Sequence, residues 1–145
     1  YLVGCCYLMK KDFFTYLGGF DEDFFMYFED NDLCDRTLQE GKLIIEAPSA
    51  KFIHLENSSS TKKKFTNFQL SIIHKISSYI YLKKNINLIN LIFRILINLI
   101  DYTQRFIFNL FFFKFKNSFK NLLRIISIFA YVTSSYKIIY KYWKI

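Results

Sequence analysis

The chain has 145 residues, 52% hydrophobic and 21% aromatic, with one proline and a net charge of +8 at pH 7. That length corresponds to about one domain, and three cysteines without a C-x-x-C pair exclude a disulfide framework and a thiolate metal site, leaving reduced, buried thiols in a cytosolic setting. The charge is divided: residues 1–57 carry five Lys and Arg against eleven acids, net −6, whereas residues 58–145 carry fifteen against Asp101 alone, net +14.

Such asymmetry predicts two regions with different partners. The break falls at ENSSSTKKK, so residues 58–64 read as a polar and basic linker between a front region, 1–57, and a back region, 65–145. The opening run YLVGCCYLM has no polar lead-in and suits a strand buried on both faces, which predicts a chain entering mid-domain. Asp12 can cap a short helix, FFTYL, which Gly18 stops by taking the left-handed conformation. Gly18-Gly19-Phe20-Asp21 is then a tight turn. A second helix begins near Asp30 and runs to Gly41, with Asp32 and Arg36 spaced to pair on its surface. LIIEAP, stopped by Pro48, and KFIHL, which carries His54, read as two more strands. Strand, helix, helix, strand predicts an α/β fold for this half.

Within that half, the stretch FFMYFEDNDLCDR packs Glu29, Asp30 and Asp32 against an aromatic run. Carboxylates so close to one another repel, and at least one should resist ionising. Two readings stand at this point: a cluster kept for proton chemistry, or a solvated helix start rich in acids.

The ordered motifs G-C-C-Y-L-M-K-K-D-F-F, G-G-F-D-E-D-F-F, Y-F-E-D-N-D-L-C-D-R, E-G-K-L-I-I-E-A-P and I-H resemble the C-terminal half of family-2 glycosyltransferases, in particular the rhamnosyltransferase-like subgroup of bacterial surface polysaccharide synthesis. The resemblance covers residues 1–57. It implies the C-terminal half of a GT-A, Rossmann-like α/β domain that binds a nucleotide-diphosphate sugar, with an inverting transfer to a saccharide or lipid-linked acceptor. It assigns Asp30 as the catalytic base, Glu29 and Asp32 as its supports, Gly19, Phe20 and Asp21 as the acceptor loop, and His54 as a metal ligand, against the alternative of a hydrogen-bonded structural histidine at a strand end. The implied cofactor is a divalent metal, Mg or Mn, gripped by a D-x-D motif that belongs upstream of residue 1. Asp21-Glu22-Asp23 and Asp30-Asn31-Asp32 match D-x-D as letters, but neither follows a buried strand. The chain alone is therefore expected to be inactive. A non-catalytic, membrane-associated remnant is the alternative.

In the back region, residues 85–113 are almost wholly apolar, and Asn87, Asn90, Arg94, Asn98, Asp101, Arg105 and Asn109 recur at helical period as a narrow polar stripe. Charges interrupt the run before the ~20 apolar residues of a clean span are reached. An amphipathic helix on an anionic membrane surface fits the stripe and the +14 charge; a helical hairpin packed on protein is the competing reading. Lys116, Lys120 and Arg124 continue the rhythm after a gap. The Ile and Leu load is too high for a solvent-facing nucleic-acid groove, so no nucleic-acid partner is expected. These features place the protein at the cytoplasmic face of the cell membrane.

Overall fold

The computed structural model describes residues 6–53 and 66–143. Its regular elements are α1 (Lys11–Tyr16), α2 (Glu29–Gln39), α3 (Asn67–Asn85), α4 (Leu88–Phe111), α5 (Phe115–Val132) and α6 (Tyr136–Trp143). The chain divides into two compact units, residues 1–64 and 65–145.

The expectation of an α/β, GT-A Rossmann-like fold is overturned, because no strand forms among the described residues. Residues 6–10, 42–47 and 51–53 run without regular structure. A strand exists only where a neighbouring strand satisfies its N–H and C=O groups. An apolar, β-branched run encodes an extended chain and not that neighbour. Leu43 and Ile45 accordingly stand 83% and 76% exposed. Residues 1–5 of the first expected strand, and His54 and Leu55 of the last, lie outside the described residues.

The helices of the first unit follow local signals. Asp12 sits in the first turn of α1, while Lys10 takes the cap position without a side-chain hydrogen bond. The helix ends because Gly18 and Gly19 take φ of +82° and +72°, which lets their N–H groups donate to the Thr15 and Phe14 carbonyls at 3.0 and 2.9 Å. Three acids fill the first turn of α2, where the exposed N–H groups favour negative charge. Gly41, at φ +67°, closes α2. Phe24, Leu33 and Cys34 are the buried hydrophobic residues among those described in this unit.

The second unit holds a larger core. Thr66 and Gln69 form a reciprocal capping box that starts α3, and Asn87 caps α4 by accepting from the Asn90 N–H at 2.8 Å. Helix α5 packs on both α3 and α4. Tyr79, Leu91, Tyr102 and Ile128 meet at the centre, flanked by Leu82, Ile86, Ile95, Leu99, Ile125 and Tyr131. Asn98 Nδ2 donates to the Tyr79 hydroxyl at 3.0 Å, so the polar stripe reaches the core at one point. Among the described residues no helix is long and apolar enough to cross a membrane.

Candidate active site

The first unit is organised around Arg36. Its Nε donates to Asp32 Oδ2 at 2.8 Å, and its two terminal nitrogens donate to the Leu17 and Gly19 carbonyls at 2.7 and 2.8 Å. One side chain therefore ties the start of α2 to the Gly-Gly turn. Asp32 is only 4% exposed, so this pair is more than the weak surface contact that i,i+4 spacing alone suggests. Asp32 works as a strut.

Above that strut lies an open hollow of about 400 Å³, lined by Leu17, Gly18, Phe20, Asp21, Glu22 and Arg36. The expected acceptor loop thus borders a concave surface. Its shape is fixed locally: Asp21 Oδ1 accepts from the Asp23 N–H at 2.8 Å, and the Phe14 and Phe20 rings meet edge to face at 5.5 Å. An ideal Cβ at Gly19 would reach the Phe14 ring at 3.4 Å, an ordinary contact, so it is the positive φ of +72° that favours glycine there. Asp30 and Glu29 do not line this hollow.

Those two carboxylates share the first turn of α2 with Asp32 but lie beside Tyr7, from the apolar run that precedes α1. The Tyr7 hydroxyl hydrogen-bonds the Cys34 side chain. Burial, then the neighbouring Cys34 and Asp30, and more weakly Glu29, raise the phenol well above its ordinary value. Glu29 is itself raised, chiefly by burial and secondarily by Asp30, against a hydrogen bond from its own backbone that lowers it. Its Oε2 is buried with no hydrogen-bond partner among the described residues. Asp30 Oδ1 accepts from the Asn31 N–H at 2.9 Å and is half-buried. The structure thus groups Asp30 and Glu29 with Tyr7 and Cys34, and Asp32 with Arg36 and the loop.

Two further features precede α2. Tyr27 and Phe28 both take left-handed backbone, φ +68° and +67°, a conformation costing about 1 kcal/mol or more for a side chain of this bulk. Two such residues in succession set the direction in which the acidic turn begins. No sequence signal marks them, because Gly or Asn would be the usual occupants. Cys34 is buried as expected of a free thiol, whereas Cys6 is exposed.

For a metal, the residues present do not fit: no three His, Cys, Asp or Glu side chains among the described residues are grouped to hold an ion. His54, the expected ligand, lies outside them.

Comparison with known proteins finds two likenesses. Residues 1–64 match the family model described as the N-terminal domain of galactosyltransferase. The particular likeness is to N-acetylglucosaminyl-diphospho-decaprenol L-rhamnosyltransferase in two strains of Mycobacterium tuberculosis, 40% identical over 82 residues, which is 57% of this chain and 26% of each relative. Both findings bear out the resemblance carried by the motif string at the level of glycosyltransferases: residues 1–64 are similar to a galactosyltransferase domain, and part of the chain is similar to the rhamnosyltransferases. The chain spans about a quarter of the length of these curated relatives. No solved structure matches it.

Proposed function

We propose that this chain supplies the acceptor-side chemistry of an inverting sugar transfer, from a nucleotide-diphosphate sugar to a saccharide or lipid-linked acceptor, at the cytoplasmic face of the cell membrane. By likeness to the rhamnosyltransferase relatives, the transferred group is L-rhamnose and the acceptor an N-acetylglucosaminyl-diphospho-polyprenol. Asp30 takes the proton from an acceptor hydroxyl as that oxygen attacks the anomeric carbon. The bond from that carbon to the diphosphate breaks from the opposite face, the nucleoside diphosphate leaves, and the configuration inverts. A positioned carboxylate contributes typically 10²–10⁴-fold to such a step. Phe20, Asp21 and Glu22 line a hollow suited to a sugar, an apolar ring face beside hydroxyl-accepting carboxylates.

The observation that supports Asp30 over its neighbours is the division of labour on the first turn of α2. Asp32 is committed to Arg36, and burial pushes Glu29 toward its protonated form. Asp30, half-buried on the same turn and accepting from the Asn31 N–H, is the carboxylate proposed to take the proton. A divalent ion bound at the site would offset the charge of the departing diphosphate.

The test measures transfer by the protein as its native gene expresses it, with nucleoside-diphosphate rhamnose as donor and N-acetylglucosaminyl-diphospho-polyprenol as acceptor. Asp30→Asn should lower turnover by roughly 10²-fold or more while donor binding persists. Retained turnover removes Asp30 from the role. No turnover by the wild-type gene product would favour the remnant.

A further inference from the structure

Helix α4 buries Leu91 and Tyr102 toward α3 and α5 and carries Arg94, Asp101 and Arg105 along one flank. The rest of its circumference is apolar and open: Ile89, Phe93, Leu96, Ile100 and Ile107 are all exposed. Helix α5 repeats the pattern with Phe119, Leu122, Ile126 and Phe129. Two neighbouring helices with outward apolar stripes exceed what scattered surface hydrophobes explain.

The stripes join at the turn between α4 and α5. There Phe111 and Phe113 stand 76% and 79% exposed, with Phe112 and Phe115 also open to solvent. The Phe108 and Phe112 rings lie 4.5 Å apart and those of Phe111 and Phe112 5.3 Å apart, so the aromatic surface is contiguous. The backbone holds this turn: Phe113 takes φ +54°, and the Lys114 N–H donates to the Asn109 carbonyl at 2.7 Å. Lys114, Lys116 and Lys120 are exposed beside it. No acid occurs anywhere after Asp101.

We propose that the α4–α5 hairpin seats on an anionic lipid bilayer, with the aromatic turn at residues 111–115 buried at the headgroup–acyl boundary and Lys114, Lys116 and Lys120 on lipid phosphates. Charge selects this occupant. An anionic leaflet attracts every lysine near its surface. A second copy docked hairpin to hairpin would instead bring Lys114, Lys116 and Lys120 against their own counterparts. Arg94, Asp101 and Arg105, which interrupt the apolar surface of α4, favour a hairpin lying on the membrane over one crossing it. The proposal goes beyond the transferase reading and does not depend on Asp30.

The test is co-sedimentation of the full chain with vesicles of phosphatidylcholine alone and of phosphatidylcholine mixed with phosphatidylglycerol. Strong binding is expected only to the mixed vesicles. Phe111→Gln/Phe113→Asn/Phe115→Gln should release the chain from them, and Lys114→Glu/Lys116→Glu/Lys120→Glu should weaken binding by on the order of fivefold or more per lysine. Asp30→Asn should bind like wild type, which separates failure here from failure of the catalytic assignment. Equal binding to both vesicle types, or either triple variant binding as wild type does, overturns the proposal. So does a stable dimer, or salt-sensitive RNA binding, in a chain that ignores both vesicles.

Discussion

Arg36 donates to three acceptors on two elements, and Asp32 beneath it is nearly out of solvent. Removing the guanidinium leaves a buried carboxylate without its cationic partner and two loop carbonyls without their donor. Such a loss outweighs the net worth of the intact pair, because the desolvation cost of the remaining charge is no longer offset. Arg36→Met should lower stability by about 2–3 kcal/mol, and Asp32→Leu added to it should recover part of the loss. A denaturant double-mutant cycle reads both values. Glu29 makes the opposite case, a carboxylate that destabilises the fold when charged. Its folded-state pKa is raised, so the native state binds more protons than the unfolded chain just above the ordinary Glu value. Its contribution to stability therefore falls as pH rises through that window into the raised range. Glu29→Gln should melt at a higher temperature than wild type at neutral pH, and the gap should close as pH falls below the ordinary Glu value. A gap independent of pH would mean that burial does not perturb Glu29.

At the scale of elements, what could be read from the sequence was what neighbours along the chain decide. Gly18 and Gly41 stop helices because their own backbones turn left-handed. The polar period from Asn87 to Asn109 marks α4 because a helix brings those positions to one side. Thr66 and Gln69 carry a capping-box signal for α3, and Ile72, Ile73, Ile76 and Ile80 follow at helical spacing and are buried. Thr66→Ala should cost about 1 kcal/mol in urea unfolding. The strands were not decidable in this way. LIIEAP has the composition of a strand, but pairing is a long-range event, and no neighbour forms among the described residues. In the site, the acids were legible by type, while their grouping with Tyr7 and Cys34 was not, since it joins positions 27 residues apart through side-chain contact. Across α3 and α6, Tyr79 and Tyr140 are both pushed up from 10.0 to about 12 by burial. Between those values the native state keeps protons that the unfolded chain releases. The stability they contribute is present below pH 10 and lost as pH rises toward 12. Helical circular dichroism should collapse within that window, and Tyr79→Phe should make the loss less steep.

At the scale of the whole molecule, the two units differ in how much they bury. Among the described residues the first buries Phe24, Leu33 and Cys34, whereas the second buries Ile72, Ile73, Ile76, Tyr79, Ile80, Leu91, Tyr102, Leu123, Ile128, Ala130 and Tyr140. Apolar area removed from water is the dominant favourable term in folding, and a helix as short as α1 is marginal without packing. The first unit depends instead on Arg36 and on left-handed turns at Gly18, Gly19, Tyr27 and Phe28. Small cores open at lower free energy than large ones. That matches the roles proposed for the two units, one shaping itself around an acceptor and the other holding a rigid hairpin against a lipid surface. Amide hydrogen exchange on the intact chain distinguishes them. The α2 amides of Leu33, Cys34 and Thr37 should exchange at least about tenfold faster than those of Ile73, Ile76 and Tyr79 in α3, corresponding to about 1.4 kcal/mol less protection. Arg36→Met should speed the first set and leave the second unchanged. If both sets instead slow and quicken together, the chain opens as a single cooperative body, and the smaller core draws its stability from the larger one.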